Sequence, residues 1–228
     1  MKISLKTLNQ NTKNTIGGFS NTSKMPWLSW SISADLCITG SKLSKIQGTI
    51  CYLCYAQKDS YTWPNTINAM ERRLETWKNN PNWADDFIES LRELSDRVED
   101  KKLLYFRWFD SGDIQSFKML ENIATIANAL PHIQFWLPTK EFGIVSKYLK
   151  AYKVFPSNLT VRLSAYKVNQ QILSENGIFG QLPNSMAVES KGHAQSAFYC
   201  PSSNQGNKCL DCRKCWDNDT KTIAYTIQ

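Results

Sequence analysis

Residues 103–140 read LLYFRWFDSGDIQSFKMLENIATIANALPHIQFWLPTK. Leu103 to Phe109 is an apolar, aromatic run of strand length, the pattern of a strand buried on both faces. It stops at Asp110-Ser111-Gly112-Asp113, a turn-forming group. From Ser116 to Leu130 the apolar residues Met119, Leu120, Ile123, Ile126 and Ala127 recur at helical spacing. Ile133 to Leu137 is a second strand and ends at Pro138-Thr139-Lys140. Strand, helix and strand in so short a span make a βαβ unit, and that unit requires a parallel pair of strands.

The alternation extends in both directions. Downstream, the pattern predicts a helix over Glu141 to Tyr152, a strand over Leu159 to Ala165 carrying Arg162, a short helix over 167–176, a short strand over Met186 to Val188 and a last strand over Thr222 to Ile227. Upstream, it predicts a helix from Asn65 to Lys78. Another begins with Asn82 as N-cap and Asp85 in its first turn, with Phe87, Ile88, Leu91, Leu94 and Val98 on its apolar side. Trp30 to Ser33 reads as a first strand and residues 38–50 as loop. Residues 1–25 are polar and read as an irregular arm. The fold class is therefore α/β with a largely parallel sheet.

The chain has 228 residues, enough for one domain or at most two small ones. Hydrophobic residues are 42% and charged residues 21%, an ordinary globular composition that argues against disorder. No stretch approaches the roughly 18 apolar residues of a membrane span, and the first residues lack the apolar core of a secretory signal. These features exclude collagen, coiled coil and integral helical membrane protein, and they lead to the expectation of a cytoplasmic protein without a membrane partner. The formal charge of +7 permits contact with nucleic acid or acidic partners without requiring it.

Seven cysteines fall into two groups. Cys37, Cys51 and Cys54 lie early, Cys200, Cys209, Cys212 and Cys215 lie late, and none lies between. Inert core cysteines would scatter. In a reducing compartment, clustered cysteines are more often metal ligands or catalytic groups than disulfides. The late group has x8, x2 and x2 spacings, with Pro201 after its first member. Tight C-x2-C-x2-C runs wrap iron–sulfur clusters, whereas tetrahedral zinc usually takes two separated C-x2-C knuckles. The early group offers three thiolates, one short of the four around a [4Fe–4S] cluster. An open ligand position is the mark of a catalytic metal, and a closed shell that of a structural one. The alternative for the early group is zinc, with a fourth ligand such as His193 or an Asp. A tail folded over the sheet mouth would bring all seven thiols to one cavity, as two neighbouring clusters or one larger assembly.

Parallel sheets gather their sites at the carboxyl ends of the strands. Cys37 falls there after the first strand, Asp110 and Asp113 after the second, Thr139 and Lys140 after the third. Asp110 and Asp113 suit binding an amine, ordering water or acting as a base, and equally turn and helix-cap chemistry. Lys140 suits a carboxylate or phosphate, or plain solvation. Arg162, inside an apolar strand, needs a partner, and Asp110, Asp113 or an anionic ligand is expected to supply it. His132 is expected to be exposed in a turn. The phosphate-cradling, dinucleotide-binding and serine-nucleophile glycine motifs are absent. The eight tryptophans read mostly as core.

The Cys51-Tyr52-Leu53-Cys54-Tyr55-Ala56 run, the Arg107 to Asp113 block, the Phe135 to Lys140 block and the Cys209-x2-Cys212-x2-Cys215-Trp216 ending resemble the phage gene product 88 family, whose role is poorly defined. That resemblance implies a viral protein working in the host-cell cytoplasm. More distantly, the arrangement is similar to the radical S-adenosylmethionine enzymes. This second resemblance implies a partial (β/α)6 TIM-like barrel over residues 26–190 with a cluster-binding loop at 37–54, and a cysteine-rich segment at 191–228 packed on it with a second iron–sulfur cluster. Cys37, Cys51 and Cys54 would hold a [4Fe–4S] cluster, with Ser111, Gly112 and Thr139 near the S-adenosylmethionine cofactor and Asp110, Asp113, Lys140 and Arg162 lining the pocket. The x13 interval and the Asp-Ser-Gly-Asp block depart from that superfamily's x3 interval and Gly-Gly-Glu motif. Three readings follow: redox or radical chemistry at the early centre, electron transfer without S-adenosylmethionine, or a zinc-shaped, redox-inert module that contacts nucleic acid.

Overall fold

The computed structural model describes residues 5–172, 177–194 and 196–227. Seven strands form one parallel sheet: β1 (Ser29–Trp30), β2 (Tyr105–Trp108), β3 (Gln134–Thr139), β4 (Leu159–Ser164), β5 (Asn184–Val188), β6 (Phe198–Tyr199) and β7 (Thr222–Thr226), in the order β1-β2-β3-β4-β5-β7-β6. The first five strands are laid down in sequence order. With right-handed crossovers, such winding places successive helices on one face. The helices are α1 (Leu5–Ile16), α2 (Gly40–Leu43), α3 (Pro64–Asn79), α4 (Trp83–Arg97), α5 (Phe117–Ala129), α6 (Phe142–Tyr152) and α7 (Ile178–Gln181).

The period-two alternation of the strands separates two cores. Phe106, Trp108, Phe135, Leu137, Leu159, Val161 and Leu163 point to the helices and join Trp83, Phe87 and Leu91 of α4 in the larger core. Aromatic packing dominates it: Phe87 stacks on Trp108 at 4.8 Å between ring centroids, and Trp30 meets Trp83 edge-on at 5.3 Å. α5 starts where Ser116 accepts a hydrogen bond from the Met119 amide at 3.1 Å. The opposite face carries a smaller cluster of Met25, Trp136, Cys215, Trp216 and Ile223. The C-terminal segment thus covers the face that the helices leave free.

Several expectations are corrected. The irregular arm contains α1, whose Leu8, Thr12 and Ile16 recur every four residues and are buried. The Trp30 indole donates to the Ile16 carbonyl at 2.9 Å. Residues 167–172 contain no helix, residues 173–176 of that expected helix lie outside the described residues, and the short helix is α7. Asn82 stands at the start of α4 without a capping bond; the Asn80 side chain accepts from its amide instead. The sheet has seven strands rather than six, and no strand pair among the described residues joins β1 to β6.

Candidate functional site

At the carboxyl ends of β1 to β3 the chain turns three times, and each turn is fixed by side chains. Thr39 donates from its amide and its hydroxyl to the two carboxylate oxygens of Glu141, at 2.7 and 2.8 Å, tying the loop after β1 to the loop after β3. The Ile50 amide donates to the Tyr166 carbonyl at 2.9 Å, anchoring the same loop beyond β4. The Tyr55 hydroxyl donates to the Asp110 carbonyl at 2.6 Å, and the Tyr61 hydroxyl to the Asp110 carboxylate at 3.1 Å. Cys37, Cys51 and Cys54 ride on this clamped loop. A Cβ on Gly40 would stand 2.8 Å from the Cys37 Cβ, 3.4 Å from the Cys37 sulfur and 3.6 Å from the Cys51 sulfur. Those two sulfurs are therefore neighbours, and a side chain at position 40 would press on them.

The cysteine tail closes the other end. Arg162, fully buried, donates to the carbonyls of Asn184, Thr220, Lys221, Lys214 and Asp217. It meets neither Asp110 nor Asp113, which corrects its expected partner: backbone oxygens of the folded-back tail take its charge. The Trp216 indole donates to the Phe106 carbonyl at 2.7 Å, and Thr160 donates to the Trp216 carbonyl at 2.8 Å. Cys215 lies 3.1 Å from the Tyr225 hydroxyl.

One cavity of about 420 Å³ joins the two ends. Cys37, Cys51 and Cys54 of the loop after β1 line one part of it, called the rim below, and Cys200, Cys209 and Cys215 of the tail line another, called the floor. Cys212 is not in the wall, although its charge reaches Cys209. All seven thiols are free, so no disulfide competes for them. Among the described residues, no three His, Cys, Asp or Glu side chains are gathered as a ready site for a single metal ion. The thiols surround a space rather than a point.

Charge favours neutral thiols here unless a cation enters. Burial, then Asp113 and the neighbouring Cys54 and Cys51, push the Cys37 thiol far above its ordinary range. Burial raises Cys51 against the pull of Lys140, and raises Cys209 against that of Lys24. Burial pushes Cys215 up to about 12. Mutually repelling buried thiolates are the donor set that a polynuclear cationic core stabilises, with release of the thiol protons.

The remaining sequence candidates separate by environment. Asp113 is fully engaged: it accepts from Thr139 Oγ1 at 2.7 Å, from the Ile114 amide at 2.8 Å and from the Lys140 amide at 2.8 Å. Burial outweighs these bonds and lifts it to about 6. Asp110 and Ser111 line the cavity, and Asp110 Oδ1 and Ser111 Oγ have no partner among the described residues. Gly112 has φ +79 and packs so closely on Ile32 that a Cβ would come within 2.4 Å of it. Thr139 and Lys140 also line the cavity. His193 is exposed, bonded to Ser190, and not in the wall; His132 is exposed as expected. Arg107, Trp136, Tyr55 and Tyr61 belong to the wall and were not singled out from the sequence as site residues. A charged residue inside an aromatic strand was the available signal for Arg107.

Fold and site together define a parallel α/β protein whose free sheet face carries a cysteine-lined cavity. The chain belongs to the gene product 88 family, whose sequence profile matches residues 4–218. No curated protein and no solved structure matches it. No helix among the described residues is long and apolar enough to cross a membrane.

Proposed function

We propose that the chain is an iron–sulfur protein with a redox centre at the cavity rim and a second, tail-holding centre at its floor. One observation carries the reading: six cysteines from opposite ends of the sequence line a single cavity on the free face of a parallel sheet. At the rim, Cys37, Cys51 and Cys54 would hold a cluster with one iron open to a ligand. At the floor, Cys200, Cys209, Cys212 and Cys215 would complete a closed shell. The clusters would supply one-electron transfer. The protein's own groups fix the rim loop through Glu141 and Tyr55, and keep cations, Lys140 and Lys24, beside the thiolates.

The finer reading is a radical S-adenosylmethionine-like partial barrel. Its support is the sequential order β1 to β5 and the three-cysteine loop after β1. Anaerobically purified protein is expected to be brown, with broad thiolate–iron absorption near about 400 nm. Colourless protein holding stoichiometric zinc alone would reject both readings. Calorimetry of the iron-loaded protein with S-adenosylmethionine separates them: heat of binding supports the finer one, and its absence leaves an electron-transfer protein.

A further inference from the structure

We propose that Arg107 anchors a ligand subsite between the two thiol groups, built for the carboxylate of a small organic acid that also carries a hydrogen-bond donor. β2 alternates, so Arg107 turns away from the core that takes Phe106 and Trp108, and it lines the cavity. Its guanidinium lies 4.5 Å from the Trp136 ring centroid. Nη2 donates to the Tyr55 hydroxyl at 3.1 Å and to the Phe109 carbonyl at 3.4 Å. These contacts fix the plane of the group without satisfying it. Among the described residues Nε has no acceptor, Nη1 makes no hydrogen bond, and no carboxylate stands within ion-pair distance. A guanidinium presents its free N–H groups as a fork that matches a planar oxyanion.

The second observation is independent. Asp110 is 5% exposed, shares the cavity wall and keeps Oδ1 unpartnered; the Ser111 hydroxyl beside it is also unpartnered. A buried acceptor left without a donor is unfavourable by about 1–3 kcal/mol, so such groups point to something that fills them. Unpaired donors and an unpaired acceptor on one wall match a ligand with both features: a carboxylate toward Arg107 and an O–H or N–H toward Asp110 or Ser111. A phosphate fits less well, because the Asp110 charge opposes a dianion. Lys24 and Lys140 line the same cavity, and their charges also act on the Cys209 and Cys51 thiols. Arg107 also reaches Cys209 electrostatically, which gives it one competing role, counter-charge to a thiolate. The subsite stands on these groups whatever the thiols hold.

Saturation-transfer NMR on the full chain, purified without oxygen, tests this with lactate, propionate and inorganic phosphate, each at millimolar concentration. Lactate is expected to receive saturation, propionate several-fold less, and phosphate lines to stay sharp. Arg107→Met should abolish the lactate signal with melting temperature and iron content kept, and Asp110→Asn should reduce lactate to the propionate level. Because Arg107→Met changes the packing on Trp136, Arg107→Lys serves as the second variant: it keeps the charge, loses the fork, and should weaken lactate about tenfold. No transfer to either acid in the wild type would overturn the proposal. So would an undiminished lactate signal in either Arg107 variant, which would leave the residue as counter-charge alone, or phosphate broadening where lactate shows no transfer.

Discussion

At the cavity rim, three cysteines sit on short turns between β1 and α3, held by clamps from other loops: Thr39 on Glu141, Ile50 on Tyr166, Tyr55 on Asp110. At the floor, the cysteines lie on a tail that is itself core, with Cys215 and Trp216 packed on Trp136 and Ile223 and five carbonyls gathered on Arg162. The rim group lies where parallel sheets place chemistry, beside exposed Tyr52 and Tyr55. The floor group lies where a fold needs to be closed. The two groups differ in their setting rather than in their burial: six of the seven cysteines are half-buried and only Cys215 is buried. On the proposed reading the loop thiols would serve chemistry and the tail thiols would tie distant chain segments together.

The sharpest way to break this contrast is Arg162→Met. It leaves the tail carbonyls without their donor, and the expected loss is about 3–5 kcal/mol, since each buried acceptor left unsatisfied costs about 1–3 kcal/mol. Urea unfolding measures it; a loss below about 1 kcal/mol would mean that the tail is held by something else. Next come Cys215→Ala and Cys51→Ala, compared side by side in the iron-loaded protein. The floor variant should lose about 2–3 kcal/mol, since metal binding there is coupled to folding, while the rim variant should lose iron with little change in melting temperature. Equal destabilisation would erase the distinction.

A third prediction concerns pH at the rim. Asp113 titrates at about 6 in the fold against an ordinary 3.8. The folded state thus binds this proton more tightly than the unfolded chain does. Its contribution is present below about pH 4 and is lost as pH rises through about 6. Wild-type protein should lose up to about 3 kcal/mol across that window from this group, and Asp113→Asn should remove the loss. Thermal melts at several pH values check it, and identical profiles would contradict it. The smallest effect is expected from Gly40→Ala, about 1–2 kcal/mol in stability, because the added methyl would stand 2.8 Å from the Cys37 Cβ, which yields only with its backbone. Its readout is the rim spectrum, which should change while the floor signal stays.

The stretch from β2 to β3 was legible because its periods are strong: an aromatic run, a helical stripe and a second apolar run leave one reading. The grouping of cysteines and their position near strand ends were legible from spacing. α1 was not, because only a few apolar residues at four-residue intervals mark it in a polar segment. β6 was missed because two residues paired on a sheet edge leave no pattern. The role of Arg162 was misread for a different reason. Its need for a partner followed from burial, but the partner is backbone from a segment some 50 residues away, and composition carries no trace of it. Arg107 went unweighed because alternation within β2 was read as uniform burial, although the residue faces the cavity.

Iron and acid-labile sulfide, counted per chain in protein purified without oxygen, bear most directly on the central claim. The account predicts both in comparable, superstoichiometric amounts, with Cys51→Ala and Cys215→Ala each removing a separate share. Protein that contains no sulfide, or whose cysteines all react freely with a thiol reagent under native anaerobic conditions, would contradict it.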